Sequence, residues 1–262
     1  MTRLSNIVRH IESLTARPLD PDEGVHHGDP DVQVASATVS WMATPDAIEA
    51  AAADGSQVLI CHESLYYPYD VVIAPHPPPG WREWTVNRQR SDLLRRHGLT
   101  CLRIHGAADT LCIIDAFADR LGLGAPAGAD GLCKVYDMAP RPLGELVRDV
   151  KRRTGLAAVR VSGADDLERV VRRPGLLTGG LGLFVNVGSQ VRLQALGCDV
   201  CIAGESDNYG FRYAVECGLP LIETSHELSE NPGLRRFTAL LAAAFPAVTF
   251  RFHELPCVWR AL

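Results

Sequence analysis

Apolar residues recur at Leu4, Ile7, Val8, Ile11 and Leu14, the spacing of one helix face, and predict a first helix over 4–14 with Thr2 as its cap. The period then drops to two. Between Ala35 and Trp41, Ala35, Ala37, Val39 and Trp41 alternate with Ser36, Thr38 and Ser40, the pattern of a half-buried strand. Thr44-Pro45-Asp46 supplies a cap and a first-turn proline for the next helix, and Asp54-Gly55 ends it. An apolar run over 58–61 follows, reading as a buried strand that ends on His62 and Glu63.

The same alternation continues. Residues 87–97 read as a helix closed by Gly98, 99–104 as a strand followed by His105, and 110–121 as a helix with Asp109 at its mouth. "GLGAPAGADG" (122–131) reads as a linker, which places a boundary between lobes of about 1–125 and 126–262. Beyond it the pattern predicts helices over 143–153, 186–195 and 209–217 and strands over 157–161, 199–203 and 219–223. A last helix runs from Asn231-Pro232 to 245, and a last strand covers 248–252. This order predicts an α/β protein with largely parallel sheets.

Composition narrows the partners. With 262 residues, 47% hydrophobic, the chain can bury a sizeable core, and a net charge of −5 without a basic stripe argues against nucleic acid. The N-terminus lacks the apolar stretch of a signal peptide, and no run approaches a membrane span, so the expected location is the cytoplasm, with no membrane partner. Eight scattered cysteines read as reduced, mostly buried thiols. Cys198 and Cys201 have redox-motif spacing, but on a strand side chains three apart face opposite ways, so their sulfurs are expected not to meet.

In open α/β sheets, ligands bind beyond the carboxyl ends of the strands. There the chain puts His62 and Glu63, His105 and Asp109, Glu205, and His226 and Glu230. Such imidazole and carboxylate donors suit Zn²⁺, Fe²⁺ or Mn²⁺. The four-residue offset from His226 to Glu230 puts both on one face if the segment is helical, yet Pro232 makes a turn equally plausible; Asp109 is either a ligand or a helix cap.

The series "GVHHGDP" (24–30), "LICHESLYY" (59–67), "RIHGAAD" (103–109), "CDVCIAGES" (198–206) and "SHELSENPGL" (225–234) resembles the Nif-three-like dinuclear metal-centre family, also labelled GTP cyclohydrolase I type II homologues. The resemblance implies two interlocked α/β lobes with mixed, largely parallel sheets, one or two divalent ions per chain in the cleft between them, and a homo-hexamer. It implies His62, Asp109, His226 and Glu230 as ligands. Glu63 stands where the family has a second histidine, so it either coordinates as a carboxylate or leaves one metal position weak. His105 and Glu205 are expected beside the metals, orienting a ligand or a water. The departure at 24–30 puts His26 and His27 in a loop, lining the cleft or on the surface. "TGGLG" (178–182) is either a phosphate-binding turn or a plain glycine-rich one.

Two metals would favour hydrolysis of a nucleotide or phosphodiester, with a small molecule as substrate, although no constellation for recognising guanine is evident. Storage or delivery of metal without turnover is the alternative, and an interaction scaffold with structural His and carboxylate groups a third.

Overall fold

The computed structural model describes residues 2–68 and 76–261. Contacts divide the chain into two compact units. One runs from the start of the described chain to Cys112 and takes in Leu234–Leu255; the other is Ile113–Gly233 with the residues from Pro256 on.

The first unit is built on a five-stranded sheet. Strands β1 (Gly24–His27), β2 (Ser36–Ser40), β3 (Val58–Cys61) and β4 (Thr100–Arg103) join the chain's last strand, Thr249–His253, in the order last, β2, β3, β4, β1. The four neighbours from the last strand to β4 are parallel, and β1 is antiparallel at the edge. Helices Pro45–Ala53 and Thr85–His97 make the crossovers, burying Ile48 and Leu94 against Leu59, Cys61 and Cys101. The alternation over 35–41 is only partly realised as a half-buried strand, because β2 lies inside the sheet and all five of its residues are buried. Two of its polar side chains bond internally: the Ser36 and Thr38 hydroxyls lie 3.4 and 2.9 Å from that of Ser56. His26 and His27 also differ from expectation, lying in β1 instead of a loop: His27 pairs with Cys101 of β4, and His26 sits at the irregularity between Val25 and His27. The first helix starts at Leu4, where the amide of Arg3 donates to Asn6 Oδ1 at 3.0 Å, while Thr2 pairs with Val34.

The second unit carries a six-stranded sheet. Its strands are β5 (Gly128–Asp130), β6 (Cys133–Val135), β7 (Arg160–Ser162), β8 (Pro174–Leu177), β9 (Val200–Ala203) and β10 (Leu221–Glu223), in the order β7, β10, β9, β8, β6, β5. The central β8, β9 and β10 are parallel and the flanks antiparallel. Both faces are covered. Leu176, Val200, Ile202 and Ile222 face a core with Phe117, Tyr136, Leu143 and Val150, while Leu177, Cys201, Ala203 and Leu221 face another with Leu193 and Ala214. This two-sided burial is what a central parallel strand requires. The glycine-rich segment at 122–131 is partly strand, since β5 falls within it.

Two local expectations fail for physical reasons. The last helix starts at His226, not at Asn231, and contains Pro232. Ser225 holds its first turn: the carbonyl accepts from Ser229 N at 3.1 Å and the hydroxyl from Leu228 N at 3.5 Å. Gly233 follows the proline because a Cβ there would lie 2.3 Å from the Ile113 Cα. The sulfurs of Cys198 and Cys201 do meet, 3.9 Å apart. Strand geometry begins only at Val200, and Asp199 sits in a bend held by its carboxylate, which accepts the amides of Arg172 and Arg173 at 2.9 and 2.8 Å.

All eight cysteines are free thiols, five of them buried. Among the described residues no helix is long and apolar enough to cross a membrane.

Candidate metal centre

In the first unit, the carboxyl ends of β3 and β4 deliver the polar groups. His62 is 1% exposed, its amide hydrogen-bonded to the Trp41 carbonyl at 3.1 Å. Nδ1 of its ring lies 3.1 Å from the Ile104 carbonyl, which can only accept, so Nδ1 is the donor in this contact and Nε2 is the atom turned toward Asp109. His105 repeats this arrangement with a carboxylate. Its Nδ1 is 3.1 Å from Asp22 Oδ2, and its backbone amide donates to Glu23 Oε1 at 2.7 Å. A histidine bonded through one nitrogen to a carboxylate or carbonyl presents the other as metal-ligating histidines do.

Asp109 faces both rings: Oδ1 is 3.9 Å from His62 Nε2 and Oδ2 is 4.0 Å from His105 Nε2. It opens a π-helical turn, Asp109–Ile113, a distortion often found at functional sites. Glu63, 4% exposed, joins His62 and His105 in a group whose ligand atoms all lie within 4.8 Å of one another.

Buried Arg103, the last residue of β4, holds this cluster from behind. Its Nε donates to the His62 carbonyl at 3.0 Å, and its Nη1 pairs with Asp22 Oδ2 at 2.9 Å. The Asp22 carboxyl is lowered to about 2, chiefly by the His105 hydrogen bond and further by Arg103, against the opposing effect of burial. Asp22 is thus held as an anion behind the imidazole.

The second unit builds its own group where β8, β9 and β10 end. His226 Nδ1 lies 2.9 Å from Glu205 Oε2, and Nε2 lies 3.3 Å from Glu230 Oε1. The helical start at His226 puts residues 226 and 230 on one face, one turn apart. The 178–182 turn makes room for them. Gly179 has φ +54°, and a Cβ on it would fall 1.9 Å from Glu230 Oε1 and 3.0 Å from His226 Nε2. Its amide donates to Ser229 Oγ at 2.8 Å, and that hydroxyl donates to the His226 carbonyl at 2.8 Å. In these bonds the glycine-rich turn serves close approach to a carboxylate.

Whether such groups suit a divalent ion can be judged from their donors. Ligands about 2.0–2.2 Å from a tetrahedral ion lie roughly 3.3–3.6 Å from each other. The His226 and Glu230 atoms already have that spacing at 3.3 Å, and the 3.9 Å between His62 and Asp109 needs about half an ångström of closing, well within rotamer motion. Imidazole and carboxylate donors with oriented rings fit Zn²⁺, Fe²⁺ or Mn²⁺.

The pattern is also that of a known family. A family model described as Duf34/NIF3 (NGG1p interacting factor 3) matches residues 2–256. The chain belongs to this family. Among solved structures, a Bacillus cereus protein related to NIF3 is similar over 100% of this chain and 99% of its own, with TM-score 0.80 and 14% identity. A hypothetical protein of Staphylococcus aureus, SA1388, gives 0.79 and 13% over 99% of each chain. Reduced HcgD from Methanocaldococcus jannaschii gives 0.71 and 18% over 97% of this chain and 98% of its own. At these identities the likeness shows the fold. No curated protein matches the chain.

The structure thus brings His62, Glu63, His105 and Asp109 together in one unit of this NIF3-family chain and Glu205, His226 and Glu230 in the other. Sequence reasoning missed Asp22, Arg103 and Ser229, and it marked the 178–182 turn without its closeness to Glu230. Arg103 carries the signal that marked His62, a charged residue ending an apolar strand; Asp22 lies 83 residues from the ring it holds.

Proposed function

We propose that this NIF3-family protein binds one or two divalent ions per chain, Zn²⁺, Fe²⁺ or Mn²⁺, through His62, Glu63, Asp109, His226 and Glu230, and is a metal-dependent hydrolase of a nucleotide or phosphodiester. The observation that supports it most is shared by three imidazoles: in His62, His105 and His226 an acceptor holds Nδ1 at 2.9–3.1 Å and leaves Nε2 facing a carboxylate. A divalent ion held there supplies Lewis acidity, lowering the pKa of a bound water and polarising a phosphoryl oxygen.

The chain's own residues divide the remaining work. Glu205 keeps the Nδ1 proton of His226 and so fixes its ring, and Asp22 does the same for His105. Glu63 replaces the imidazole the family resemblance leads one to expect, adding negative charge that favours a harder ion. Assembly as a homo-hexamer and residence in the cytoplasm belong to the same proposal.

Elemental analysis of protein purified without added metal, followed by titration, tests the binding. One or two equivalents of a transition metal are expected, and under about a tenth of an equivalent with no uptake would overturn it. Metal-dependent hydrolysis of an aryl phosphodiester, lost in His226→Ala, tests the catalysis. Partial solvent exposure of His226 and Glu205, 19% and 47% for their side chains, favours the second reading, a protein that exchanges or delivers metal without turnover. Transfer of metal to an apo-acceptor with no hydrolysis would establish that reading instead.

A further inference from the structure

Cys198 and Cys201 stand at the start of β9, whose far end leads on to Glu205, and their thiols are in contact. The sulfurs are 3.9 Å apart, and the Asp199 bend that turns Cys198 back over the strand is fixed by two backbone amides. Space for the Cys198 sulfur comes from Gly175 on β8, directly opposite Cys201 in the sheet: a Cβ on Gly175 would lie 2.8 Å from that sulfur and 2.9 Å from Leu193. The two thiols differ in access. Cys201 is fully buried, whereas Cys198 is partly exposed, its sulfur 3.0 Å from the Val200 carbonyl.

We propose that Cys198 and Cys201 form a thiol–disulfide couple closed by a hydroperoxide, with Cys198 as the sulfur attacked first and Cys201 as the resolving one. The Cys198 thiolate attacks the terminal peroxide oxygen, forming an S–O bond as the O–O bond breaks; the leaving oxygen takes a proton and departs as water or an alcohol. Cys198 is then a sulfenic acid. Cys201 sulfur attacks the sulfur of Cys198, forming the S–S bond and expelling hydroxide, which leaves as water with the Cys201 proton. Two thiols are oxidised, and one hydroperoxide is reduced.

The assignment of roles follows from access, since sulfenic acids form at reachable thiols and are captured by a neighbouring one. The contact with Cys198, together with burial, holds the Cys201 thiol well above its ordinary pKa, so it keeps its proton until the second step. Cys61 and Cys101 supply an internal comparison: their sulfurs are closer, 3.5 Å, yet both residues are buried. Proximity alone would close that pair first; access closes Cys198 and Cys201 first.

The test uses the full chain, reduced, exposed to hydrogen peroxide, alkylated and digested with trypsin. Residues 193–212 form one tryptic peptide with these two cysteines and no others. The expected product is that peptide lacking two hydrogens and unalkylated, formed before any link between Cys61 and Cys101 and reversed by dithiothreitol. In Cys201→Ser, Cys198 should pass on to the sulfinic or sulfonic acid; in Cys198→Ser, at the more exposed position, the peptide should stay alkylated at Cys201. The proposal is overturned if both sulfurs of the wild-type peptide remain alkylatable after peroxide, if Cys198 over-oxidises while Cys201 stays free, or if Cys61 and Cys101 join first.

Discussion

Gly179 and Glu230 occupy space that admits no side chain between them: the nearest carboxylate oxygen stands 1.9 Å from where a Cβ on Gly179 would be. The Gly179→Ala variant must therefore move the carboxylate, the turn or both, and its positive φ adds strain for any L-residue. Metal affinity should fall about tenfold or more. Competition with a chromophoric chelator reads this, and an unchanged affinity in a folded variant would separate Glu230 from the metal.

Glu205 reaches the ring of His226 and leaves its other nitrogen facing Glu230. In Glu205→Gln an amide oxygen can still accept the Nδ1 proton, but without charge. Affinity is expected to drop about tenfold, and in Glu205→Ala up to about a hundredfold. Equal losses in the two variants would mean that the hydrogen bond is irrelevant to ring orientation.

Asp149 concentrates three guanidinium groups. Arg141 lies 3.2 Å and Arg153 3.3 Å from its carboxylate, with Arg152 also paired to it. Burial alone would raise its pKa, but the charge of Arg153, the bonds from Arg141 and Arg153 and the charge of Arg152 outweigh it and lower the value below 3.8. A carboxyl depressed in the folded state contributes stability above its unfolded pKa, lost as pH falls through the folded one. Asp149→Asn should therefore destabilise the protein at neutral pH and flatten the acid limb of its stability below about pH 4. Urea unfolding as a function of pH measures both; parallel curves for variant and wild type would refute the linkage.

Helix Pro45–Ala53 begins where Thr44 Oγ accepts the Ala47 amide at 3.2 Å. Thr44→Ala should cost about 1 kcal/mol. Phe117→Ala, which empties a fully buried position in the second unit's core, should cost about 3–5 kcal/mol. Chemical denaturation distinguishes the two, and similar losses would contradict the burial assigned to Phe117.

Much of the parallel framework was legible because β3 and β9 are apolar runs and β2 alternates apolar with polar residues, each set between helix signals. The edges were not. β6 has three residues, β8 begins with Pro174-Gly175, and β1 holds two histidines, so tertiary pairing alone makes them strands. The polar groups of the candidate site were readable because charge at the end of a buried strand is costly and needs a partner. Their supports were hidden, since the bonds from Arg103 to Asp22 and from Asp22 to His105 span more than 80 residues. Cys198 misled for a local reason: its alternation was counted through a bend that Asp199 imposes.

The last strand, Thr249–His253, completes the first unit by pairing with β2, all of whose residues are buried. During synthesis the first 112 residues leave the ribosome lacking one neighbour of their own sheet, and they wait for it while more than a hundred further residues are made. Until then the backbone of β2 offers a vacant edge to any passing strand, so a ribosome stalled short of residue 249 releases a chain prone to aggregate.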